Sequence, residues 1–380
     1  MSLQKYFANW IPAVEAEMQR VVNDTLALPS PPDAFSTMLR YHLGFANADG
    51  TPTHINAGKR IRPMLVLLSC EACGGDPQVA LPAAAAVELL HNFSLIHDDI
   101  EDGDELRRGR PTLWKKWGVP HAINMGDAMY AHAHLALQSL STDRVLPGNI
   151  LQAWRVFECM CLHLTMGQHM DIGFESRSDV TAANYMQMIE GKTAALIQAC
   201  CEIGALIAGA APKQIAALGE FGRNLGLSFQ LQDDVLGIWG DPTITGKRDG
   251  DLVNRKKTLP VLFAADHDPV LRARYFGADR LTADDVQWLK QRVTDLGGRA
   301  YTEQAASAAY DHAMESHSAA MLNNAAATTL QDLAHSLLSR NGASCNHRGS
   351  FLTHSARGAA KEQSCGQISL GRRCRSGFRG

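Results

Sequence analysis

The chain has 380 residues, 46% of them hydrophobic and 20% charged, with a formal net charge of −3 at pH 7. This is globular composition with apolar material for a sizeable core, and the near-neutral balance excludes general attraction to nucleic acid or to anionic membranes, so any basic site must be local. Nine cysteines, an odd number scattered along the chain, suit a reducing compartment better than a disulfide framework.

The opening stretch MSLQKYFANWIPAVEAEMQR has neither the basic start and apolar run of a secretory signal nor the acid-free character of a transit peptide, so a cytoplasmic protein is expected. From about residue 10 to about residue 340, alanine- and leucine-rich segments carry polar residues at three- and four-residue intervals. Short Gly/Pro/Asp breaks separate them at 29–33, 49–59, 74–77, 102–111, 173–179, 240–250 and 266–279. No alternating β-branched run with hairpin signals interrupts this, and the expected class is all-α. The longest apolar stretch, 194–211, is broken by Gln198 and Glu202, which fits a buried helix and no transmembrane segment. Cys70 and Cys73 form a C-x-x-C without a second pair at zinc-finger spacing, and read as buried thiols on an apolar helix. Beyond Arg340 the chain is rich in Gly, Ser and Arg without helical periodicity, so the expected organisation is a domain over 1–340 and a disordered basic tail over 341–380.

An apolar run starting near Leu81 ends in Ser94-Leu-Ile-His-Asp98-Asp99-Ile-Glu101-Asp102. On a helix turning about 100° per residue, Asp98 and Asp102 share a face with Asp99 beside them, so three carboxylates are expected to converge on one point. Bare, they would repel one another; a hard divalent cation such as Mg2+, which binds through carboxylates plus substrate phosphates, relieves this. A second run, from about Ile215, leads to Gln230-Leu-Gln232-Asp233-Asp234. A solvated acidic helix end would explain either cluster alone. Two clusters, each anchored by a hydrophobic helix and placed where the helix dipole disfavours acids, point to a functional reason.

Basic groups stand in complementary places: Lys59-Arg60-Ile-Arg62 before a helix, Arg107-Arg108-Gly109-Arg110 after the first acidic cluster, Lys192-Thr193 mid-chain, and Lys247 and Arg255-Lys256-Lys257 after the second. Guanidinium forks and lysine point charges bind phosphate oxygens. No Walker loop, G-x-G-x-x-G, H-E-x-x-H or G-x-S-x-G is present, which leaves metal-assisted chemistry on a diphosphate enclosed by apolar helices.

In this order, GKRIRP, ELLHNFSLIHDDIEDGDELRRGRPT, GKTAAL, FQLQDDVLGIWGDPTITGK and KKTLP resemble the blocks of the trans-polyprenyl diphosphate synthases, over about residues 15 to 340. The resemblance implies a single-domain antiparallel helical bundle around a deep central cavity, the isoprenoid-synthase type, usually homodimeric. It implies condensation of isopentenyl diphosphate with dimethylallyl, geranyl or farnesyl diphosphate. By position, Asp98, Asp99, Asp102, Asp233 and Asp234 would be catalytic and would hold a cluster of three Mg2+ ions. Arg107, Lys192, Thr193, Gln230, Lys247 and Lys256 would hold the allylic diphosphate, with Lys192 also catalytic. Lys59, Arg62, His91 and Arg108 would form the isopentenyl diphosphate pocket. Gly237 departs from the pattern, standing where many members have the last aspartate of the second motif. That leaves Asp233 and Asp234, with water or Asp241 beside them.

Chain length is expected to be set about one helical turn below the first motif, at Phe93 and Ser94. A bulky residue five positions before the motif and a small one at four resembles the pattern giving geranylgeranyl diphosphate, with farnesyl diphosphate as the alternative. A terpene cyclase would carry a different second metal motif, and a non-catalytic partner subunit would have lost ligands that this chain keeps.

Overall fold

The computed structural model describes residues 1–24, 33–55, 58–240, 250–277 and 280–338, all within one compact unit. Lys247 and Asp241 lie outside the described residues, as does the expected tail.

The architecture is the expected all-α bundle. Its first half comprises α1 (Leu3–Asp24), α2 (Asp33–His42), α3 (Ile61–Ala72), α4 (Leu81–Glu101), α5 (Leu113–Trp117), α6 (Val119–Gln138) and α7 (Pro147–Glu175). The second half comprises α8 (Ala182–Ile189), α9 (Ala195–Ile207), α10 (Pro212–Trp239), α11 (Gly250–Val253), α12 (Leu259–His267), α13 (Pro269–Phe276), α14 (Ala283–Asp295), α15 (Gly298–Ala319) and α16 (Ala325–Leu338). Proline opens the first turn of α4, α6, α7, α10, α12 and α13, where its missing N–H costs nothing and its fixed φ fits. Thr181 caps α8 and Thr282 caps α14, each through a reciprocal side-chain pair.

The densest packing joins α4 to α6, α3 and α7 to α9, and α10 to α9 and α15. In α4, Ala83, Ala84, Ala85 and Ala86 are all fully buried with Leu89 and Leu90, so this helix is apolar around its circumference and central rather than amphipathic. That is also why, with its preceding turn (Pro77–Glu101), it is the one described helix long and apolar enough to cross a membrane, although 61% of its apolar window is covered by protein.

Two details differ from expectation. The loop after α4 contains a two-residue antiparallel pair, Leu106–Arg107 against Arg110–Pro111. It turns through Arg108 (φ 53) and Gly109 (φ 75), both left-handed, as a tight hairpin requires; arginine does not advertise that conformation in a sequence. The second acidic pair also does not end its helix, because α10 runs on to Trp239. The dipole argument therefore applies only to the first cluster.

Candidate active site

The last turn of α4 carries Asp98 and Asp99 on different sides. Asp98 is half-buried with its carboxylate 3.8 Å from Lys192 Nζ. Burial raises its pKa, Lys192 opposes the rise, and Asp102 and Glu101 add to it. Asp99, next around the helix and 2% exposed, is instead locked to Arg107, whose guanidinium donates at 2.6 Å; burial still pushes its carboxyl up to about 6. The three carboxylates of the first motif therefore do not converge as helical spacing implies. Asp98 and exposed Asp102 influence Lys192, while Asp99 secures the hairpin that follows.

Lys192 comes from a short π-helical turn, Glu190–Ala194, between α8 and α9. Such turns recur at functional sites because the extra residue redirects side chains. Lys192 Nζ donates to Asp171 of α7 at 2.5 Å. Thr193 Oγ1 donates to Gln230 Oε1 of α10 at 2.9 Å, and Gln230 reaches Asp234 at 3.3 Å. The turn is held against α7 by two glycines. A Cβ on Gly167 would lie 2.2 Å from the Lys192 backbone nitrogen, and one on Gly191 would lie 2.7 Å from the His163 carbonyl oxygen. Because backbone cannot withdraw cheaply, Gly167→Ala is expected to displace Lys192 and lower kcat/KM by about tenfold or more, measured with the far-ultraviolet spectrum unchanged.

Asp234 is 2% exposed and receives the Tyr185 hydroxyl at 2.5 Å and the Leu259 N–H at 3.3 Å. Burial pushes it up to about 7, with Asp251 nearby contributing to the rise. Asp233 beside it is half-buried. Gly237 has a structural counterpart. A Cβ there would sit 1.8 Å from Asp251 Oδ2, so the space that an aspartate side chain would need is filled by the carboxylate of Asp251 from α11.

Of these groups, Asp98, Lys192 and Thr193 line a cavity of about 320 Å3 together with Arg62, His91, Phe93 and Ser94. A more polar hollow of about 910 Å3 shares Glu101 with it and brings Asp102, just past the end of α4, and Asp171 of α7 together with Lys256 and Arg255. Burial, with Arg62, Arg108 and Arg107 around it, holds His91 neutral. His42, which the sequence did not single out, is buried among Arg107, Arg108, Arg110 and Arg60 and held down to about 3. Arg108 is brought to Gly58, where a Cβ would come within 2.9 Å of its Nη2. Lys59 is not brought to the cavity; it is exposed and lines a separate groove between α1 and α16.

Phe93 packs edge-on against His97 (centroids 4.9 Å apart) and Tyr130 (5.1 Å), an aromatic cluster partly supplied by α6. Asp171, Gln168 and Tyr185 also reach these groups, although no motif in the sequence singles them out. Gly167-Gln168 with Asp171 one turn on could have signalled the first two; Tyr185 carries no local signal.

The donor set at the mouth of the cavity is hard carboxylate oxygen, which suits Mg2+, and its half-buried Asp98 is short of positive charge with Lys192 already shared with Asp171. Among the described residues no three of the motif aspartates bring ligand atoms within 4.8 Å of one another; the group that does is His134, Glu158 and Cys161, elsewhere in the bundle.

The family model described as polyprenyl synthetase matches residues 51–292. A geranylgeranyl diphosphate synthase of Mycobacterium tuberculosis is 46% identical over 277 residues, covering 72% of this chain and 78% of the relative. A (2E,6E)-farnesyl diphosphate synthase of Mycobacterium bovis is 41% identical over 311 residues, covering 80% and 85%. Among solved structures, a polyprenyl synthetase from Streptomyces coelicolor superposes with a TM-score of 0.77 at 34% identity, covering 88% of this chain and 98% of that one.

Proposed function

The chain belongs to the polyprenyl synthetase family and is a short-chain trans-prenyltransferase of the geranylgeranyl or farnesyl type, and from that premise we propose that its main product is geranylgeranyl diphosphate. The observation that carries this reading is the cavity that Asp98, Lys192 and Thr193 line together with Ser94 and Phe93. Ser94 and Phe93 lie four and five residues before Asp98, about one turn below it, and Phe93, braced by Tyr130 and His97, would stop the growing chain after a few isoprene units. The farnesyl alternative has its own support in the mycobacterial farnesyl synthase relatives, which match over more of the chain.

Lys192, Thr193, Arg107, Gln230, Lys256 and Lys247 are proposed to orient the allylic diphosphate, and Arg62, His91 and Arg108 the isopentenyl diphosphate; Lys59, which lines the separate groove, is left out of that pocket. Asp98, Asp102, Asp233 and Asp234 are the proposed ligand set for three Mg2+ ions, with Asp99 holding Arg107 beside them. When bound, Mg2+ supplies charge neutralisation for a departing diphosphate. The allylic carbon–oxygen bond breaks, the isopentenyl double bond forms the new carbon–carbon bond, and the proton lost from isopentenyl leaves with the pyrophosphate. No side-chain nucleophile is needed. The apolar wall of Leu164, Leu196 and Phe93 excludes the water that would quench an allylic cation.

Residues 1–340 would form the catalytic domain of a cytoplasmic homodimer, with 341–380 a tail. The exposed Ile123, Leu135, Leu151, Leu162 and Met166 of α6 and α7 support a covered face there, and the described free cysteines support a reducing compartment. Purified protein given Mg2+, isopentenyl diphosphate and dimethylallyl, geranyl or farnesyl diphosphate should yield mainly the C20 product; mainly C15 would select the farnesyl reading, and no elongation would overturn both. Phe93→Ala should lengthen the products by one or more isoprene units; an unchanged chain-length distribution would remove Phe93 from the floor.

A further inference from the structure

We propose that His134, Glu158 and Cys161 form a second metal site, for a borderline-soft divalent cation of the zinc class, which clamps α6 to α7 behind the cavity floor. Glu158 and Cys161 are three residues apart on α7 and so share a face, and His134 meets them from α6. Their ligating atoms all lie within 4.8 Å of one another. Cys161 is buried, His134 is largely covered and Glu158 is half-exposed, which leaves one side open for a water ligand. Nitrogen, oxygen and sulfur from three side chains plus water is a four-coordinate set that zinc accepts and Mg2+ does not. The two metal classes would therefore sort between this site and the aspartates.

The ring orientation is set as a metal ligand requires. His134 Nδ1 lies 2.8 Å from the Tyr130 carbonyl oxygen, which can only accept, so Nδ1 carries a hydrogen. In the neutral ring this leaves the Nε2 lone pair pointing at Glu158 Oε1, 2.8 Å away. Two lone pairs face each other there unless a proton or a cation lies between them, and a backbone-anchored Nδ1–H is the usual outer support of a metal-bound histidine. A shared metal at about 2.0 Å from nitrogen and about 2.3 Å from sulfur needs the carboxylate slightly farther from the ring. Glu158 is exposed enough to move. Burial pushes the Cys161 thiol up to about 12, with Glu158 adding to the rise; a bound cation reverses that balance by ligating the thiolate.

Tyr130 links the site to the cavity. Its ring packs on His134 (centroids 4.3 Å apart) and on Phe93, and its hydroxyl is hydrogen-bonded to Cys161. A metal here would fix Tyr130, and through it the wall behind the growing chain.

The test uses full-length protein stripped with a chelator, desalted and titrated with Co2+ in the absence of Mg2+. At one equivalent, a near-ultraviolet thiolate-to-cobalt absorption should develop, be displaced by equimolar Zn2+, survive excess Mg2+, and be retained in Cys159→Ser but lost in Cys161→Ser and His134→Ala. Glu158→Gln covers the case in which the more buried variants fail to fold, and should weaken Co2+ binding by roughly tenfold or more. No thiolate band in the parent, a band that survives Cys161→Ser, or unchanged affinity in Glu158→Gln would overturn the proposal.

Discussion

Asp98→Asn is expected to lower the rate of prenyl transfer by on the order of 10³-fold while leaving the protein at least as stable as the parent. The two effects have one cause. Burial raises the Asp98 carboxyl above its ordinary value, so the folded state holds the proton more tightly than the unfolded chain does. For a raised acid the stability is fully present below its unfolded pKa and is lost as pH rises through the folded one. At neutral pH the ionised carboxylate therefore costs stability, and the isosteric amide removes that cost. Lys192 is not stranded by the change, because Asp171 holds it at 2.5 Å. An ion-pair role alone would predict the opposite, a small loss of stability and little loss of rate. Steady-state kinetics and thermal denaturation of the same preparation, at pH 7.5 without metal for the melt, separate the two.

Arg60→Met is expected to destabilise the fold by about 3–5 kcal/mol, a large share of a typical domain's stability. The guanidinium is 1% exposed and bridges two helices, donating to Glu88 Oε1 of α4 at 2.7 Å and to Glu15 Oε1 of α1 at 3.0 and 3.2 Å. Glu15 in turn accepts from His54 at 2.8 Å. Removing the arginine leaves the Glu88 carboxylate, 4% exposed, without its ion pair in an apolar interior. The double variant Arg60→Met, Glu88→Leu should recover much of the loss, since replacing both partners avoids the stranded charge. Denaturant midpoints measure both, and a single variant within 1 kcal/mol of the parent would show that water reaches the pair.

Arg60 illustrates where the sequence stops being legible. In Lys59-Arg60-Ile-Arg62 three cations stand within four residues, and composition cannot say which faces substrate. The backbone decides: Arg60 adopts φ 50 at the start of α3 and turns inward to structural carboxylates supplied by α1 and α4. Arg62, a half-turn on, lines the cavity, and Lys59 faces outward. Asp98 and Asp99 present the same problem. Helical spacing correctly places Asp98 above Phe93 and Ser94, since those separations are properties of one helix. It could not show that Asp99 belongs to Arg107, because that pairing depends on a hairpin whose Arg108-Gly109 turn carries no strong local signal.

The bundle itself was readable because hydrophobic runs, prolines at first turns and polar breaks all agree. Partners separated widely along the chain were not. Tyr185 on Asp234, Asp171 on Lys192 and Asp251 beside Gly237 are each fixed by helix packing. Gly237 is the clearest case, since it reads as a missing carboxylate and the fold supplies one at the same place from another helix.

The most direct test is calorimetric titration of the protein with an unreactive thiolo analogue of geranyl diphosphate, with and without Mg2+. If the aspartate-lined cavity binds the diphosphate through metal, tight binding should require Mg2+ and fall sharply in Asp98→Asn. Equal affinity without Mg2+, or in that variant, would contradict the account.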